Sequence, residues 1–91
     1  MRITKKVREE AIEACLGAHD IASNPSMLGL YSAGEWVGDG PSASLAWDAR
    51  AAAIEAISAY GSDKFLTYRW LEAAALLRNG WSPGDPVECI R

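Results

Sequence analysis

The sequence predicts an all-α domain, a compact three-helix bundle with a long glycine-rich loop between its first and second helices. Three observations predict it. Alanine, the best helix former, dominates the apolar residues. Apolar positions recur at helical spacing in three stretches. The breakers "SNP", Gly61 and Asn79-Gly80 fall at the ends of those stretches.

The first helix is expected over about 5–22, with Thr4 as its N-cap. At 100° per residue Val7, Ala11, Ala14, Cys15, Ala18, Ile21 and Ala22 share one face, and Glu9, Glu13 and Asp20 lie opposite. Asn24 precedes Pro25, and a residue before proline avoids helical geometry, so the helix stops there. A loop over 23–41 follows, long for so small a domain. Within it "SMLGLY" could form a helical turn and "LYSAGEWV" a small hairpin.

The second helix is expected over about 43–60, with Pro41, Ser42 and Ser44 as start residues, either serine serving as N-cap, and Gly61 just past its end. Leu45, Ala49, Ala53, Ala56 and Tyr60 make one apolar stripe, and Trp47, Ala51 and Ile54 another. A helix apolar on two sides is normally flanked on both. The third helix is expected over about 63–78, capped by Ser62 or Asp63 and ended by Asn79-Gly80, which puts Trp81 where a Schellman stop packs an apolar residue on the last turn. Leu66, Trp70, Ala73 and Leu77 face inward; Tyr68, Leu71 and Ala75 form a second stripe. Pro83-Gly84 suits the centre of a type II turn at the start of the tail, 80–91.

Ninety-one residues make one domain, residues 1–91, with a modest core. Alanine adds little volume, so core volume is expected from the four tryptophans, Phe65, Tyr31, Tyr60, Tyr68 and the leucines and isoleucines. Net charge is −3, which argues against a general nucleic-acid binder. The charge is uneven. Arg2, Lys5, Lys6 and Arg8 crowd the start, and Arg50 is the single basic residue from Ile21 to Gly61. The basic start is followed by no apolar run, and no stretch approaches the ~20 apolar residues of a membrane span, so a cytoplasmic protein with free thiols at Cys15 and Cys89 is expected, a Cys15–Cys89 bridge between the tail and the first helix being the alternative.

The composition offers no catalytic constellation. His19 is the single histidine, four residues after Cys15, and the pair raises a thiolate or metal reading. A zinc site needs about four ligands, Cys89 would be only a third, and Cys15 reads more simply as a small core residue. No phosphate-binding glycine loop occurs. No catalytic residue, cofactor or metal is therefore expected.

Protein binding is better motivated. Tyr68 and Leu71, one turn apart and off the inward face, with Arg69 beside them, have the aromatic, aliphatic and arginine character of interface anchors. A self-complementary patch of this kind would make a homodimer. Trp36 is expected to pin the loop as a lid, its burial contributing about 2–3 kcal/mol, with Gly34, Gly38 and Gly40 letting the backbone lie close to the helices. The alternative is a loop that meets a partner, with Glu35 and Asp39 as an acidic rim around Trp36. The partner-binding residues expected are thus Tyr68, Arg69, Leu71, Glu35, Trp36 and Asp39. A second function class is a helix-turn-helix-like DNA-binding regulator, since "AYGSDKF" is a tight glycine turn ahead of Lys64, Thr67, Tyr68 and Arg69. A virion assembly protein is a third.

The stretch "EAAALLRNGWSPGDPV", Glu72 to Val87, resembles the tails of small phage and prophage proteins. The resemblance implies a category: short helical phage proteins that bind and modulate a host protein, among them anti-CRISPR and other anti-defence proteins. The function expected is accordingly a non-enzymatic protein-binding module of that kind.

Overall fold

Thr4 opens the first helix by accepting a hydrogen bond from the Val7 amide at its Oγ1 (3.1 Å), which satisfies one of the donors a helix start leaves free. The computed structural model describes residues 3–24, 26, 36–59 and 69–87. They form α1 (Lys5–Ser23), α2 (Pro41–Ala59) and α3 (Arg69–Arg78), and no strand occurs among the described residues. Each helix contacts the other two, so the domain is the expected all-α three-helix bundle. Residues 27–35 and 60–68 lie outside the described residues, and with them most of the suggested helical turn and hairpin, the second helix's glycine stop and the expected start of the third helix.

α1 ends as the proline predicts. Asn24 takes an extended conformation and its amide returns to the Ile21 carbonyl (3.2 Å). α2 begins earlier than its serines suggest. Pro41 is the first helical residue, where a fixed φ and a missing N–H cost nothing. Gly40 precedes it at φ +106°, a conformation other residues rarely adopt, and its carbonyl accepts from the Ser44 amide (2.9 Å). Ser42 and Ser44 are therefore inside the helix and neither caps it.

α3 closes with a full Schellman stop. The Trp81 amide donates to the Leu76 carbonyl (3.0 Å) and the Gly80 amide to that of Leu77 (3.2 Å), with Gly80 at φ +89°. The tail then folds back. Asp85 donates its amide to Ser82 O (3.0 Å), which closes the type II turn over Pro83-Gly84. The same residue accepts from the Trp81 indole (3.1 Å, at its carbonyl) and from the Ser82 amide (2.9 Å, at its carboxylate). Arg8 of α1 locks this unit to the bundle. Its guanidinium donates to Leu77 O (3.2 Å), Trp81 O (2.6 Å) and Ser82 Oγ (3.1 Å). The basic start of the chain thus supplies a C-terminal cap to α3.

Among the described residues more than half of the buried apolar ones are alanines, and the bulk among them comes from Trp70, Leu45, Leu77, Ile21, Val37 and Trp81. Two of the four tryptophans expected to fill the core do not: Trp36 and Trp47 stay on the surface. Small buried residues on all three helices favour close helix packing, which suits bulky rings at the surface better than between the helices.

Candidate protein-binding surface

α2 and α3 meet along an edge where Trp47 and Trp70 touch ring to ring, edge to face, with centroids 5.0 Å apart and planes at 64°. Trp70 is buried; Trp47 covers it from outside and is itself 39 % exposed. Arg50, one helical turn after Trp47, lays its guanidinium over both rings, 5.0 Å from the Trp70 centroid and 5.7 Å from that of Trp47. Its Nε is buried without a hydrogen-bond partner, and burial pushes the guanidinium below its ordinary value. Ile54, half-buried, and Ala51, exposed, continue the apolar positions along α2. The second apolar side of α2 predicted from the sequence is therefore half open to solvent.

On α3, Leu71 is 43 % exposed and Ala75 is exposed one turn on, as the outward stripe predicts. Tyr68, its expected companion, lies outside the described residues. Arg69 is corrected. It is only 8 % exposed, and its guanidinium pairs with Glu72 one turn along (3.1 Å). The residue lies on the inward side of α3 beside Trp70 and Ala73, so it is no surface anchor. The same burial takes Arg69 out of a DNA-reading helix; Lys64 and Thr67 are outside the described residues.

The loop reading is corrected in part. Val37, not Trp36, enters the core; Trp36 is 52 % exposed. The indole nonetheless has a seat. It lies against the α1 backbone at Gly17, where an added Cβ would collide with the indole nitrogen and come within 2.8 Å of Cε2. Close approach thus depends on a helix glycine, whereas Gly38 and Gly40 face open space. Asp39 is exposed as expected; Gly34 and Glu35 lie outside the described residues.

Cys15 is a free, fully buried thiol pushed up to about 12 by desolvation, so it holds almost no thiolate at neutral pH. His19, half-buried, receives Ser23 at its backbone carbonyl (2.8 Å), with the same hydroxyl 3.3 Å from Nε2. Among the described residues no three His, Cys, Asp or Glu side chains gather as a metal site, and no helix is long and apolar enough to cross a membrane.

Trp47 and Arg50 are the surface residues that sequence reasoning missed. One signal was available: the single basic residue of the chain's middle follows a tryptophan by three positions, adjacent on a helix. Trp70 completes the cluster only through the packing of α3 on α2. Comparison with known protein families, curated proteins and solved structures finds no match to this chain.

Proposed function

We propose that the protein is a non-enzymatic protein-binding module, a phage-encoded inhibitor or modulator of a host protein in the host cytoplasm, of the anti-CRISPR kind. One observation carries the binding reading. The chain builds its interior largely from alanine, yet leaves Trp36, Trp47 and Leu71 between 39 and 52 % exposed. In a domain short of bulk, large apolar side chains held at the surface favour contact with another molecule. The phage assignment is supported by the resemblance of the Glu72–Val87 stretch to small phage proteins.

The test uses tagged full-length protein against a bacterial host lysate, with Leu71→Glu and Trp47→Ala alongside. Leu71 is on the outward face of α3, so Leu71→Glu is expected to cost less than about 1 kcal/mol of stability. It should remove a protein captured by the wild type. A captured protein that both variants retain would refute this surface. A melting point collapsed by Leu71→Glu would place Leu71 in the core. Light scattering of the pure protein reports whether the captured partner is a second copy.

A further inference from the structure

Arg50 is placed unlike the other cations whose contacts are described. Arg8 donates three hydrogen bonds to carbonyl and hydroxyl oxygens, and Arg69 pairs with the Glu72 carboxylate although its Nε too is buried without a partner. Arg50 makes cation–π contacts alone, and neither a hydrogen bond nor an ion pair joins it to a described residue. Stacking of this kind fixes the guanidinium over two rings and uses none of its in-plane donors. A methionine or leucine could pack on the same rings without burying an unpartnered N–H, so the arginine carries a desolvation cost that packing does not explain.

We infer that Arg50, held between Trp47 and Trp70, is a socket for an acidic side chain of a partner protein, an aspartate or glutamate flanked by large apolar residues. This rests on the protein-binding reading above. The carboxylate meets the edge of the guanidinium that stacking leaves free, in the two-toothed geometry arginine offers. The apolar neighbours of that carboxylate cover the exposed part of Trp47 and the half-buried Ile54. Once covered, the ion pair is shielded from water and the half-buried guanidinium gains a counter-ion. A nucleic acid fits less well, because the chain carries a net charge of −3.

The test selects a displayed random peptide library on the full-length protein. The selected peptides are expected to share an aspartate or glutamate beside aromatic or aliphatic residues. A synthesised peptide should lose at least about tenfold in affinity when its acid is changed to the amide, and similarly on Arg50→Met. The two changes together should cost little more than either alone, as for one shared contact. The acid-to-amide arm needs no protein variant, so a misfolded Arg50→Met leaves the test standing. Peptides without an acid that lose binding on Trp47→Ala would overturn the carboxylate socket and leave protein binding intact. A selection that enriches nothing removes both. Binding of a fluorescent single-stranded oligonucleotide, lost in Arg50→Met, would give the site to nucleic acid. A dimer of the pure protein dissolved by Arg50→Met would give it to a second copy; either result overturns the inference.

Discussion

Replacing Arg8 by methionine should destabilise the whole domain, although Arg8 lies in the first turn of α1 and near the basic start of the chain. The methionine keeps most of the aliphatic stem and removes three hydrogen bonds, to Leu77 O (3.2 Å), Trp81 O (2.6 Å) and Ser82 Oγ (3.1 Å). A hydrogen bond from a charged donor contributes about 1.5–3 kcal/mol when its partners are shut from water. Here Arg8 and Ser82 are half-buried, and water can replace part of what is lost. The cation also faces the negative end of α3, a further ~0.3–1 kcal/mol. A net loss of about 2 kcal/mol follows, and at roughly 4–8 °C per kcal/mol for a domain of this size the midpoint should fall by about 8–16 °C. Thermal unfolding followed by circular dichroism measures it. Arg8→Lys, which keeps the charge but not the fork, should fall between the two. A methionine variant that melts within about 2 °C of the wild type would show that the C-terminal hook is held by Trp81 and Asp85 alone, and the assigned role of Arg8 would be wrong.

Gly17→Ala should behave differently with and without the indole it supports. In a Trp36→Ala background it should stabilise by about 0.5–1 kcal/mol, the ordinary gain of alanine over glycine in a helix; with Trp36 present the gain should vanish as the ring is pushed off α1. Equal gains in urea unfolding would deny the seat. Cys15 should make the protein sensitive to alkali. The folded chain keeps a thiol proton that the unfolded chain releases, so the contribution is intact below the ordinary value of 9.0 and is lost as pH rises towards about 12. Relative to Cys15→Ala, the wild type should lose about 1.4 kcal/mol per pH unit above that ordinary value. Parallel pH profiles of the two proteins would contradict this.

The parts of the fold legible in the sequence are those written by neighbours. Thr4, Asn24 before Pro25, and Asn79-Gly80-Trp81 each act over a few residues, and each reads correctly because its hydrogen bonds close within one turn. The start of α2 misled for a local reason too. Serine is a strong N-cap, but Pro41 fits the first helical position so well that the helix begins at it and leaves the serines inside. The inward face of α1 was readable from period alone, since Ala11, Cys15, Ala18 and Ile21 are all buried. Arg8 was not. Its partners lie about seventy positions along the chain, and nothing in "KKVREE" distinguishes a capping arginine from a solvated one.

The candidate surface follows the same division, which bears on how it would bind. Leu71 was legible because it sits on an outward stripe, and Arg69 misled because an arginine looks like surface until its register is known; two positions, about half a turn of the helix, separate a 43 % exposed leucine from an 8 % exposed arginine. An alanine-rich bundle short of bulk suggests buried rings, which puts Trp47 in the core and leaves Trp36 either a buried pin for the loop or a partner-facing ring. The packing reverses that premise. Alanines at 11, 18, 46, 49, 73 and 74 line the core on all three helices, and small side chains there favour close helix packing over bulky rings between the helices. The rings then rest on the outside of the bundle, each on a rigid support: Trp36 on a glycine of α1, Trp47 on the edge of Trp70. An aromatic held this way has already lost much of its rotational freedom before any partner arrives, which lowers the entropy cost of association. A small alanine core and rings supported at the surface are thus two consequences of the same choice of residues.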